Sequence, residues 1–174
     1  MKPYLTAAVS AVSLLALASF SSAADKPTDP QIAHIAYTAG VIDIEAAKLA
    51  LEKSKTKDVT EFAQEMLRDH EAVNVQALDL AKKLNVTPED NDTSKALADA
   101  ASAKRAELAK LDGAAFDKAY VDNEVAYHKQ VNGALETVLI PSAENAELKG
   151  LLETGLKLFQ GHQQHAEHVA AALK

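Results

Sequence analysis

Residues 57–84, KDVTEFAQEMLRDHEAVNVQALDLAKKL, constrain the fold more than any other stretch. Val59, Phe62/Ala63, Met66, Val73, Ala77, Leu80 and Leu84 recur at steps of three and four, the stripe of a helix that buries one side. His70 lies four residues after Met66 and three before Val73, with Asp69, Glu71 and Asn74 around it. The helix therefore carries an imidazole on its buried seam. Any fold for this chain has to bury that stripe and find a place for His70 inside it.

The segments on either side repeat the pattern. Asp29-Pro30 opens a helix, with Asp as N-cap and Pro at the first helical position. Ile32, Ile35, Ala39, Ile42, Ala46 and Leu49 carry its period to Lys53, and Glu45 borders that stripe. The short joint SKTK (54–57), with Thr56 as the next cap, folds helices 30–53 and 57–84 into an antiparallel hairpin. A break follows at NVTPEDNDT (85–93), then a light, Ala-rich helix over 94–111 that Asp112-Gly113 ends. The helix at 114–139 places Tyr120/Val121, Val131, Leu135 and Val138 on one side, together with Glu124 and His128, four residues apart on the same face. Ile140-Pro141 stops it. Asn145 caps a last helix, 146–171, whose seam of Leu148, Leu151/Leu152, Leu158 and Val169 includes His162, with His165 beside it and His168 rotated away.

No stretch alternates as a strand does, so the reading is all-α. Two hairpins, 30–84 and 114–171, are joined by residues 85–113, long enough to run the length of a bundle. Helices 57–84 and 114–139 are then parallel. The expected fold is a ferritin-like four-helix bundle with one long crossover carrying an extra helix. A plain up-down-up-down bundle is the alternative and needs no such connection.

The N-terminus reads differently. Met1-Lys2 precede an apolar run from Tyr4 to Phe20, and Ser21-Ser22-Ala23-Ala24 supply the small residues of a cleavage site. The run is short for a membrane span of about 20 residues. The expectation is a signal peptide over 1–24, cleaved after Ala24 or Ala23, and one exported, periplasmic or cell-envelope domain over 25–174. No transmembrane segment is expected after processing. Losing Lys2 with the leader takes the net charge from −7 to one unit more negative, which argues against nucleic acid as a partner. The chain has no Cys, hence no disulfide, thiolate ligand or Cys nucleophile.

Three stretches, EFAQEMLRDHEAVN (61–74), GAAFDKAYVDNEVAYHKQV (113–131) and ELKGLLETGLKLFQGHQQHAEHV (147–169), resemble a bacterial envelope family, the domain-of-unknown-function 4142 family. The resemblance spans essentially all of the mature chain. It implies a ferritin-like bundle and export, and brings no established activity. The positions that carry over are His70, His128 and His162, one in each of three long helices.

At ~1.5 Å per residue, His70 and His128 lie about 20 Å and 21 Å into their helices, and His162 and Glu45 roughly 14 Å and 12 Å from the ends of theirs. One reading gathers these residues as a metal site, with His70, His128 and His162 as ligands and Glu45 or Glu124 completing the shell. Three imidazoles and a carboxylate suit divalent Zn, Cu, Ni or Fe. The other reading is a buried polar layer, in which Glu and His pair with one another or with Asn74 and Tyr127 and fix helix register. Di-iron oxygen chemistry needs Glu-x-x-His pairs; here Glu124 precedes His128 by four and Glu65 precedes His70 by five. His162, His165 and His168 form a further cluster, read either as a surface metal scavenger or as a solvated face near a helix C-terminus. No phosphate loop, nucleophile elbow or Ser/His/Asp order is present. The non-catalytic alternative is an envelope protein acting through self-association or a partner, with Leu97, Leu108 and Leu111 of the crossover helix either facing that partner or covering the bundle's own side.

Overall fold

The structure, a computed structural model, describes residues 26–173; the leader expected at 1–24 lies outside them. Five long helices follow in order: α1 (Asp29–Lys53), α2 (Lys57–Lys83), α3 (Asp92–Leu108), α4 (Gly113–Ala134) and α5 (Ala146–Ala172). No strand occurs among the described residues. The all-α expectation holds, with helix bounds within about three residues of the sequence reading apart from the end of α4.

Local chemistry explains the joints. Thr28, not Asp29, is the N-cap of α1, and its amide donates to Gln31. Asp29 serves another helix instead: its carboxylate accepts from the amides of Glu144 and Asn145, at the entrance to α5. Asn145 caps α5 as expected, accepting from Glu147 and Leu148. The α2 end is a Schellman arrangement: Asn85 takes the left-handed conformation (φ 53°), its amide bonds to Lys82, and that of Val86 bonds to Ala81. Ile140-Pro141 does not stop α4 where expected. The backbone widens into a π-helical turn at Leu135–Leu139 and stays helical through Ser142. Pro141 has no amide to give, and the wider turn eases its ring past the preceding carbonyls.

The end contacts give the topology. The starts of α1 and α5 meet through Asp29 and Asn145, so these helices run parallel. The starts of α2 and α4 meet where the Thr56 hydroxyl donates to Asp117. Helix α3 lies along α1, tied at one end by His34 to Ser94 and at the other by Lys53 to the Ala109 carbonyl. It carries the chain back along the bundle, so α2 and α4 are parallel. This arrangement fits the ferritin-like topology, with α1–α2 and α4–α5 as its hairpins.

Two apolar clusters fill the interior. One gathers Ala46, Ala47, Ala50, Val59, Phe62, Met66, Phe116, Tyr120, Ala166 and Val169 near the α1–α2 joint. The other gathers Ile32, Ile35, Leu135, Leu139, Leu148 and Leu152 at the opposite end. The crossover leucines belong to this core: Leu108 is buried in the first cluster, Leu111 packs against it, and Leu97 packs against the second. They cover the bundle's own side. No helix among the described residues is long and apolar enough to cross a membrane.

Candidate metal centre

Between the two apolar clusters, all four bundle helices contribute a titratable side chain to one layer. Helix α1 gives Asp43, α2 His70, α4 Glu124 and His128, and α5 His162. None is more than 3 % exposed. The three imidazole centroids lie 5.2 to 5.7 Å apart. One nitrogen from each of the three rings lies within 4.8 Å of those from both others, and Asp43, Glu124 and His128 form a second group meeting the same limit. Phe159 stacks on His70, with ring centroids 4.8 Å apart, and lines the layer on the α5 side.

Hydrogen bonds orient two of the rings from outside and leave their other nitrogens free. His128 Nδ1–H donates to the Glu124 carbonyl at 3.1 Å, and its Nε2 has no partner. His162 Nε2 meets Asp69 Oδ2 at 3.1 Å, and its Nδ1 has no partner. His70 has none at either nitrogen; its Nε2 lies 3.5 Å from Asp43 Oδ2. Asp43 Oδ1 and Glu124 Oε2 are also unpartnered. Leaving a buried polar atom unsatisfied costs about 1–3 kcal/mol, so this collection is expensive. The groups expected to pair with it are directed elsewhere: Tyr127 donates to the Ala39 carbonyl, and Asn74 packs against Gly40.

Burial sets the protonation states. It pushes His70 well below its ordinary value, with repulsion from His128 and His162 adding to the effect. It lowers His128 to about 4, again helped by His162. It lowers His162 too, against the opposing pull of Asp69. All three imidazoles are therefore neutral at pH 7, the form that binds metal. Burial raises Glu124 to about 7. It also raises Asp43 well above its ordinary value, and the charge of Glu124 and the hydrogen bond between the two carboxyls add to that.

A family model described as a domain of unknown function, DUF4142, matches residues 15–169. The chain belongs to the DUF4142 family. No curated protein and no solved structure matches it. The DUF4142 match covers every residue of the layer.

In this DUF4142 bundle His70, His128, His162 and Glu124 meet as the sequence suggested, and Glu45 does not. Glu45 is exposed and pairs with Arg105 of α3 at 2.6 Å. The crossover helix covers the side of α1 that carries Glu45, so that face looks at α3 and not at the interior. The α1 carboxylate in the layer is Asp43. Its signal was a position four after Ala39 and four before Ala47, on a stripe of small residues that lets the neighbouring helices approach. Asp69, noted only as a neighbour of His70, is the partner of His162. His168 is exposed and apart from the layer.

Proposed function

We propose that the bundle interior binds one divalent transition metal ion through His70, His128 and His162, with Asp43 and Glu124 as carboxylate partners. The observation that carries this reading is the set of neutral imidazoles whose unpartnered nitrogens share one layer. A bound cation would satisfy those atoms together. A register-fixing layer, by contrast, works best when its polar groups satisfy one another.

The donor set of three imidazoles and two carboxylates suits Zn²⁺, Cu²⁺, Ni²⁺ or Fe²⁺. Asp69 would orient His162, and the Glu124 carbonyl would orient His128, in the manner of the outer partners that fix metal-bound histidines. Loading would draw the shared proton away from Asp43 and Glu124. The reading is of a binding protein, with no reaction assigned. Export belongs to the same proposal and rests on the leader-like composition of residues 1–24.

Calorimetric titration of the chelator-treated protein with Zn²⁺ and Co²⁺ tests the metal. The expected result is one ion per chain, with unfolding stability raised by about 2.7 kcal/mol at a free metal concentration one hundred times Kd. His128→Leu should abolish both effects. No binding tighter than micromolar, or binding unaffected by His128→Leu, defeats the reading. Intact mass of the protein recovered from the cell envelope tests export, and retention of Met1 there defeats it.

A further inference from the structure

Outside the buried layer, the α2–α5 seam holds another cluster of metal-ligating side chains. Helix α2 presents Glu65 and Asp69, one turn apart, and α5 presents His162 and His165. They pair across the seam, Glu65 with His165 Nδ1 and Asp69 with His162 Nε2. One oxygen each of Glu65 and Asp69 and one nitrogen of His162 lie within 4.8 Å of one another. Exposure falls steadily inward: His165 is 38 % and Glu65 32 % exposed, Asp69 17 % and His162 2 %. His162 belongs to both clusters. Its Nε2 faces Asp69, and its Nδ1, buried and unpartnered, is left for the layer. Elsewhere the layer is closed, since Asp43, His70, Glu124 and His128 are all buried.

We propose that Glu65, Asp69 and His165 form an outer, solvent-facing site for a divalent transition metal, and that metal reaches the buried layer from it by way of His162. The transfer half rests on the function proposed above; the outer site does not. Two carboxylates and an imidazole form a mixed O/N donor set that an aquated cation can enter without full dehydration. The Phe62 and His165 rings meet nearly perpendicular, with centroids 5.2 Å apart, and this contact holds the imidazole beside Glu65. Arg68, whose Nε–H donates to Asp69 Oδ1 at 2.7 Å, is an exposed guanidinium at the rim, and an arriving cation would displace it into solvent. Asp69 then has two uses: it binds the incoming ion, and once the ion has passed it steadies His162.

The test uses Co²⁺ with the full mature chain. In His70→Leu/His128→Leu, which disables the layer, Co²⁺ should still shift the amide resonances around Glu65 and His165, and adding Glu65→Gln/His165→Gln should abolish those shifts. In the otherwise wild-type protein, Glu65→Gln/His165→Gln should slow the growth of the buried Co²⁺ absorption bands at least tenfold and leave their final amplitude unchanged. These two residues are partly exposed, so the fold should tolerate the change, and thermal unfolding checks that. Absence of outer-site shifts in the layer-disabled variant, confirmed as folded by its spectrum, overturns the outer site. The same absence in wild-type protein overturns it if that double variant does not fold. Loading at the wild-type rate in Glu65→Gln/His165→Gln overturns the transfer route. Outer shifts with no buried bands in wild-type protein refute the buried site and the transfer, and uphold the outer site alone.

Discussion

Replacing His128 with Leu should make the metal-free protein less sensitive to acid, by an amount the structure sets. The unfolded chain protonates this imidazole near 6.5, whereas burial and His162 hold it at about 4 in the fold. A group whose folded value is depressed in this way opposes folding once the pH falls below the unfolded value, because only the unfolded state takes up the proton. The loss begins near pH 6.5, grows as the pH falls to 4, and is constant below. Between pH 7.5 and 5.0 about 1.5 units of that window are crossed, worth about 2 kcal/mol at 1.36 kcal/mol per unit. His128 is 1 % exposed, so solvent screening takes little from this figure. Removing it also relieves His70 of a repulsive neighbour, which acts in the same direction. Urea unfolding of chelator-treated wild type and His128→Leu at both pH values gives four stabilities. Comparing the two pH differences cancels the change in packing. The wild type should lose about 2 kcal/mol more than the variant on going to pH 5.0. Equal losses, within about 0.5 kcal/mol, would refute a neutral, desolvated imidazole at this position.

Glu124→Gln should do the reverse between the acid and neutral ranges. Native Glu124 keeps its proton to about pH 7 whereas the unfolded chain loses it near 4.5, so wild-type stability falls as pH rises through that window, by about 3 kcal/mol; the variant should lack that fall in metal-free urea titrations. Asp69→Asn should weaken metal binding 10- to 100-fold by releasing His162 from its orienting carboxylate, measured by competition against a chromogenic chelator, and unchanged affinity would count against the inner site. Gly40→Ala should destabilise the fold by about 1–3 kcal/mol even though Ala is the better helix former, because a Cβ there would fall 2.3 Å from Asn74 Oδ1; adding Asn74→Ala should restore most of the loss in thermal unfolding, and a Gly40→Ala protein as stable as wild type would contradict that close approach.

The sequence reading succeeded where one periodicity decided the outcome. Phe62, Met66 and His70 sit on one stripe of α2, and burial follows that stripe. The i, i+4 spacing put Glu124 and His128 on one face, and the structure buries both. The failure on α1 has a physical cause. Stepping from Ile42 to Leu49 makes Glu45 a border residue, but α1 is covered on more than one side, by α2 and α4 toward the interior and by α3 behind. A helix with several covered sides has no single stripe to read, and only three-dimensional packing shows that Asp43 faces inward and Glu45 faces the crossover. The outer cluster was half visible for a similar reason. Residues 162, 165 and 168 were legible as histidines of one helix, whereas Glu65 and Asp69, the partners of His165 and His162, are about one hundred residues away in sequence. Register between α2 and α5 supplies that pairing, and no local pattern encodes it.

The position of the layer bears on why such a costly arrangement is tolerated. Each of the four bundle helices is mainly apolar toward both ends of its buried stripe and polar in the middle. On α2, Val59 to Met66 precede His70 and Asn74, and Ala81 follows. On α4, Phe116, Tyr120 and Val121 precede Glu124 and His128, and Leu135 and Leu139 follow; Asp117, buried at the start, takes the Thr56 hydroxyl, and Asn132 extends the polar middle. The two clusters therefore close over the layer from above and below and keep water from it along the bundle axis. The chain has no disulfide to share the load, so these clusters must offset the unsatisfied groups between them. Exclusion of water strengthens every electrostatic interaction within the layer, so each donor or acceptor left unsatisfied there costs more than it would near solvent. Had the layer served register alone, Asn74 and Tyr127 would be the natural partners for its imidazoles. The chain directs them to Gly40 and to the Ala39 carbonyl instead. Nitrogens of His70, His128 and His162 are left without a partner.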